Sequence, residues 1–206
     1  MVADEGVSLQ AIAHPKENLE LVKDYLRSSI VTPEATNELL QYIEDAFFRL
    51  MITLEVVPDG VAGESCLEFG SNPYFMTLLL KRFRHYNLSL ANYFGTDEKQ
   101  ITQVIENTKY GERHVFESKL FNVERDPFPY ANGTFSLVLF CEIIEHLTED
   151  PLEALKEIHR VLKPNGLIIM TTPNVCRASN LEKLARGMNI YDCLLYTSPS
   201  PRDRTR

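Results

Sequence analysis

Glu68-Phe69-Gly70-Ser71-Asn72-Pro73-Tyr74 is the first stretch whose residue types could do chemistry. Gly70 has no Cβ, so the backbone there can approach a ligand closely. Asn72 as an N-cap, with Pro73 as the first helical residue, would aim free N–H groups at the preceding strand end, where a carboxylate or phosphate is favoured. An ordinary strand–helix turn has the same composition, and both readings stay open on these residues alone. The second stretch is Glu142-Ile143-Ile144-Glu145-His146. On a helical turn the i, i+3, i+4 spacing puts Glu142, Glu145 and His146 on one face. Such groups can take a proton from a hydroxyl or a protonated amine. His14, His85, His114 and His159 have no partner spacing and read as surface or packing residues.

The elements that must hold these residues follow from periodicity. Asn18 to Ile30 carries Leu19, Leu21, Val22, Tyr25 and Leu26 at helical spacing. A second helix is expected from Thr32 as N-cap and Pro33, through Leu39, Leu40, Ile43, Ala46, Phe47 and Leu50. Pro58-Asp59-Gly60 breaks it. From about residue 61 strands and helices alternate. Strands are expected over Ser65–Phe69, Leu88–Phe94, Val115–Phe121, Phe135–Cys141 and Leu167–Thr172, and helices over Pro73–Phe83, Glu98–Asn107 and Pro151–Leu162. The last helix has Asp150 as N-cap, Pro151 at its first position, Glu153 completing a capping box, and Leu152, Leu155, Ile158 and Leu162 as its stripe. Lys163-Pro164-Asn165-Gly166 ends it. The continuously apolar runs Leu137–Phe140 and Leu167–Met170 suit strands covered on both faces. An α/β fold with a doubly wound, mostly parallel sheet and N-terminal helices is therefore expected. The division is a helical segment over 1–60, a core over 61–192 and a tail over 193–206.

The 206 residues, 44% of them hydrophobic, suit one domain with a real core. A net charge of -8 gives no long-range attraction to phosphate backbones, so nucleic acid is a disfavoured partner. No apolar run approaches the roughly 18 residues of a membrane span, and the acidic start lacks a signal-peptide layout. Cys66, Cys141, Cys176 and Cys193 form no CxxC pair and read as reduced thiols. A soluble cytoplasmic protein is the expectation.

An ordered series joins these pieces. It runs from the acidic-glycine turn through Asn122-Val123-Glu124-Arg125-Asp126-Pro127-Phe128-Pro129-Tyr130 and Gly133–Val138 to Glu142–Leu147, Arg160–Gly166 and Thr171-Thr172-Pro173-Asn174. In this order the motifs resemble the class I S-adenosylmethionine-dependent methyltransferase family, type 11 group, over about residues 62–175. The resemblance implies S-adenosylmethionine as cofactor. It implies that Glu68, Gly70 and Asn72 line its methionine end, that Asn122 (side chain) and Val123 (backbone N–H) meet the adenine, and that Cys141 lies beside the sulfonium and the acceptor. The family's acid at the end of the second strand has no counterpart, and Asn92 is the candidate for the ribose, since an amide also bonds a hydroxyl. Asn72 and Tyr74 replace two loop glycines, and Ser136 and Asn122 stand where aspartates are common. Glu142, Glu145 and His146 are the candidate general bases; they also resemble a Glu-x-x-Glu-His metal site of some O-methyltransferases, but the reading adopted has no metal. The implied reaction is methyl transfer to a small-molecule or glycan-type acceptor, with in-line positioning of the activated methyl supplying much of the acceleration. A non-catalytic S-adenosylmethionine-binding module is the alternative. An NAD-binding oxidoreductase is a weaker one, because GxGxxG is absent.

The end of the chain, Leu194 to Arg206, is rich in Ser, Pro and Arg and should be disordered. It resembles translated sequencing-adapter read-through, so the expected domain is C-terminally truncated. The class I fold normally adds two strands beside the fifth. Without them Leu167–Thr172 would form an exposed apolar edge, and the fragment should be poorly soluble.

Overall fold

The computed structural model describes residues 14–29, 36–174, 176 and 178–188. Helix α1 (Leu19–Arg27) is N-capped by Asn18, whose Oδ1 accepts the Leu21 N–H at 3.0 Å. Helix α2 spans Thr36–Val56 and buries Leu39, Ile43, Ala46, Leu50 and Leu54, the expected 3.6-residue stripe. Each such Leu or Ile is worth roughly 1.5–3 kcal/mol on burial. Thr32 and Pro33 lie outside the described residues.

The remaining elements are β1 (Ser65–Phe69), α3 (Phe75–Phe83), β2 (Asn87–Asn92), β3 (Gln100–Asn107), β4 (Glu112–Leu120), β5 (Phe135–Cys141), α4 (Pro151–Val161), β6 (Leu162–Thr171) and α5 (Ala178–Ala185). The strands form one sheet in the order β3-β4-β2-β1-β5-β6. The pairs β1/β5, β2/β4 and β5/β6 are parallel. Strands β3 and β4 are neighbours joined only by residues 108–111, too few for a parallel crossover, so they form an antiparallel hairpin. The α/β class with a mostly parallel sheet is as expected.

The chain divides into two compact units. One takes the chain up to Glu64 with Ser71–Leu88 and Thr102–Glu117; the other takes Ser65–Gly70, Ser89–Ile101 and the chain from Ser118 onward. In the first unit a polar network ties α1 to the β3–β4 hairpin. The Tyr25 hydroxyl donates to Glu112 (2.8 Å), which also receives Arg82 (2.7 Å), and the buried Asn107 amide donates to the Tyr25 carbonyl and the Ser29 hydroxyl, both at 3.0 Å. In the second unit Leu67, Phe69, Phe121, Phe128, Phe135, Val138 and Phe140 pack with Ala154, Ile158 and Val161 of α4.

Four expectations are corrected. Residues Glu98–Asn107 are not helical: all but the first two form strand β3, in which Ile105 and Asn107 are buried while Thr102 and Glu106 face outward. Four β-branched residues in six (Ile101, Thr102, Val104, Ile105) favour that period-two arrangement over a helix. Helix α3 starts at Phe75 rather than Pro73; its N-cap is Tyr74, at φ 69° and without a side-chain cap, so Asn72 and Pro73 precede the helix. The fully buried residues of α4 are Ala154, Ile158 and Val161, and Leu155 and Leu162 pack partly buried against the same core, but the expected Leu152 is 58% exposed. The Asp150 carboxylate does cap, accepting the Leu152 N–H at 2.9 Å, but Glu153 turns to Lys156 (2.7 Å). Finally, Lys163–Gly166 follows α4 and turns the chain as expected, but inside the bounds of β6: it bulges out of the pairing to β5 between Phe135 and Leu137, with Asn165 at φ 62°.

Candidate functional site

Four strand ends of the second unit carry the predicted residues. Glu68, in β1, is 4% exposed and lies in register with Leu139 of β5. Two positions further along these parallel strands stand Gly70 and Cys141. Gly70 adopts φ 63° and donates its N–H to the Ala91 carbonyl at 2.8 Å. A Cβ there would meet the Ile143 side chain at 3.3 Å, so the second residue after β5 closes over the end of β1. Asn92, the last residue of β2, is 6% exposed, and its carbonyl accepts the Phe121 N–H at 3.2 Å. Asn72 follows the turn in sequence and belongs to the first unit. Between β1 and β5 the strand order reverses direction, and in open α/β sheets ligands bind outside the carboxyl ends of the strands at such a point.

The loop after β4 is held tightly. The Asn122 side chain closes an Asx-type turn, its Oδ1 accepting the Glu124 N–H at 2.8 Å, while its own N–H donates to Asp126 at 2.8 Å. That leaves the amide N–H2 as the donor Asn122 could offer a ligand. Glu124 Oε1 accepts the N–H groups of Thr148 and Glu149, each at 2.6 Å. Further on, Glu157 accepts the Phe128 N–H at 2.8 Å, and Arg160 donates to the carbonyls of Phe128 (3.1 Å) and Tyr130 (2.8 Å) and pairs with Glu157. Arg160 holds the Glu157 carboxyl below the ordinary glutamate range; desolvation opposes this and the Phe128 N–H adds to it. Beneath the loop the Phe69 ring meets Phe121, Phe128 and Phe140 at centroid distances of 5.9, 5.1 and 5.5 Å.

The segment after β5 departs from the expected helical turn. Glu142 sits at φ 56°, outside a 3-10 turn confined to Ile144–His146. Its N–H donates to the Thr171 carbonyl (2.9 Å) and its carboxylate accepts the Thr171 hydroxyl (2.8 Å). The Glu145 side chain is 5% exposed, and the half-buried His146 ring lies 3.9 Å from it. Glu142, Glu145 and His146 are therefore not aligned along one α-helical face, because the left-handed residue redirects the chain between the first and the other two. Among the described residues no group of three or more His, Cys, Asp or Glu side chains could share a metal ion.

Sequence reasoning assigned no role to Glu124, Glu157, Arg160 or Thr171, although Glu124, Arg160 and Thr171 lie inside the quoted motifs. Ser136 is the residue that stands where the family commonly has aspartate. It is the second residue of β5 and accepts a hydrogen bond from Lys163 (3.3 Å), about 16 Å of strand away from Cys141, so it cannot touch a ligand at the carboxyl end.

The sequence model of the family described as "Methyltransferase domain" matches residues 67–170, just over half of the chain. The chain belongs to this methyltransferase family. Membership indicates S-adenosylmethionine as the cofactor, and the match runs from β1 to β6, through every strand end described above. The methyltransferase also resembles solved structures at the level of fold. An S-adenosylmethionine-dependent methyltransferase from Thermotoga maritima, described as a possible histamine N-methyltransferase, is 16% identical (TM-score 0.48), covering 82% of this chain and 75% of that one. One from Archaeoglobus fulgidus is 14% identical (TM-score 0.47), covering 80% and 64%. The methyltransferase of the Haloferax volcanii Trm112 activator complex is 15% identical (TM-score 0.44), covering 63% and 54%. The chain thus spans little more than half the length of that last relative. No curated protein sequence matches it significantly.

Proposed function

We propose that the methyltransferase transfers the methyl group of S-adenosylmethionine to a small-molecule or glycan-type acceptor. The observation that carries this reading is the convergence of Gly70, Asn92, the Asn122–Val123 loop and Cys141 at the carboxyl ends of β1, β2, β4 and β5, within the stretch the family match covers. Glu68 and Gly70 hold the methionine end; Asn92 takes the ribose; Asn122 and the Val123 N–H take the adenine; Cys141 faces the sulfonium. Of the candidate bases, His146 is the half-exposed one and Glu142 is already engaged by Thr171, so His146 is the first choice for accepting the acceptor's proton. No described helix is long and apolar enough to cross a membrane. Among the described residues Cys66, Cys141 and Cys176 form no disulfide, which suits a reducing, cytoplasmic setting. The linear division into residues 1–60, 61–192 and 193–206 completes the proposal.

Calorimetric titration with S-adenosylmethionine, S-adenosylhomocysteine and NADH tests it. Binding of the first two and not of NADH is expected, together with release of S-adenosylhomocysteine on incubation with a library of small hydroxyl and amine compounds. Binding without release for any acceptor would favour a non-catalytic module. Absence of binding by either adenosyl compound overturns the reading.

A further inference from the structure

Glu124 carries the observation. Its carboxylate reaches across from the loop after β4 and takes two consecutive backbone N–H groups, those of Thr148 and Glu149, at 2.6 Å each, and the Thr148 hydroxyl stands 3.5 Å from its second oxygen. These N–H groups lie immediately ahead of α4, whose own first turn is capped separately by Asp150. An anion there is favoured by the partial positive charge of the helix start, and carboxylate-to-amide bonds are among the stronger hydrogen bonds. Glu124 is joined on one side to Asn122, which accepts its N–H (2.8 Å), and Asn122 is adjacent to Val123. On the other side the clasped backbone follows directly on Glu145, His146 and Leu147. The His146 and Leu147 N–H groups close the 3-10 turn onto Ile143 and Ile144, and Ile143 is the residue seated over Gly70. One side chain therefore links the loop proposed to hold the adenine to the turn proposed to serve the acceptor.

We propose that Glu124 is a positioning residue that couples these two segments, so that occupation of the cofactor loop also fixes the turn carrying Glu145 and His146. The inference rests on the cofactor reading above. A neighbouring link between the same segments, Arg125 with Glu149, is exposed on both partners and serves as the internal control, since exposed pairs contribute little. The clasp differs in chemistry: it removes two otherwise unpaired N–H groups with one anion, and loss of the carboxylate leaves both without a protein partner.

The test is hydrogen exchange of the methyltransferase with and without S-adenosylhomocysteine, alongside calorimetric affinity and thermal unfolding. In the unaltered chain the compound is expected to slow exchange in peptides covering 122–126 and also in those covering 142–149. In Glu124→Ala the protection of 142–149 disappears while that of 122–126 persists, and affinity falls about tenfold. Glu124→Gln, which retains an acceptor oxygen, restores most of both, and Arg125→Ala changes affinity less than twofold. Protection of 122–126 alone in the unaltered chain overturns the coupling even if the variant fails to fold. Equal loss in Arg125→Ala and Glu124→Ala overturns the assignment to Glu124. Absence of any binding sinks the cofactor reading instead, and is distinguishable because no peptide is then protected.

Discussion

At the residue scale, the turn after β1 depends on a backbone conformation that L side chains avoid. Gly70 stands at φ 63° with Ile143 close above it. A left-handed residue with a Cβ costs roughly 1–2 kcal/mol, and here the added carbon also presses on Ile143 at 3.3 Å. Gly70→Ala is accordingly expected to weaken S-adenosylmethionine binding about tenfold, the equivalent of roughly 1.4 kcal/mol, with far-ultraviolet circular dichroism unchanged. Undiminished calorimetric affinity would show that the turn does not approach the ligand. Glycine chemistry made this position legible from sequence. The role of Asn122 was only half legible, because whether its amide serves a ligand or its own turn depends on which backbone N–H comes within reach. The structure spends its oxygen on Glu124.

At the element scale, α4 works as a brace for the loop after β4. Its Glu157 and Arg160 take the N–H and carbonyl groups of Phe128 and the carbonyl of Tyr130, while Ala154, Ile158 and Val161 pack on the phenylalanine cluster. The Glu157 carboxyl is held below its ordinary range, so its contribution to stability is complete above the unfolded-state pKa of about 4.3 and is lost as the pH falls through the lower folded value. Thermal unfolding of the unaltered chain and of Glu157→Gln should therefore differ most at pH 6–7 and converge at about pH 2–3. A constant gap across that range would mean that Glu157 acts by shape alone. Sequence placed α4 correctly, and of its expected stripe Ile158, Leu155 and Leu162 do face the core while Leu152 does not. Leu152 satisfied the hydrophobic period as well as Ala154 did, and only the neighbouring sheet decides which stripe turns inward. The replacement of the expected helix over Glu98–Asn107 by β3 has a similar cause: an edge beside β4 was available, and β-branched residues could use it.

At the scale of the whole molecule, β6 ends the described sheet with one long side unpaired. Leu167, Ile168 and Met170 are 51%, 40% and 37% exposed, and no charged residue lies between Pro164 and Asn174 to deter another strand from adding there. Such an edge invites association. The chain is expected to elute as higher-order species in size-exclusion chromatography with light scattering, and Ile168→Lys to increase the monomeric fraction. A dispersed monomer from the unaltered chain would contradict this.

Composition, hydrophobic period and motif order determined by themselves the α/β class, the positions of β1, β5 and α4, and the family to which the strand-end residues belong. These are local properties: a strand covered on both faces favours a continuously apolar run, Asp, Asn and Ser favour helix starts, and glycine is the residue that takes a positive φ at least cost. The tertiary structure alone decided that Glu142 leaves the turn of Glu145 and His146, that Ser136 lies far from the site, and that Glu124 reaches Thr148 and Glu149. Each depends on which distant backbone groups come within about 3 Å of a side chain, a distance set by strand register and loop path rather than by neighbours in sequence.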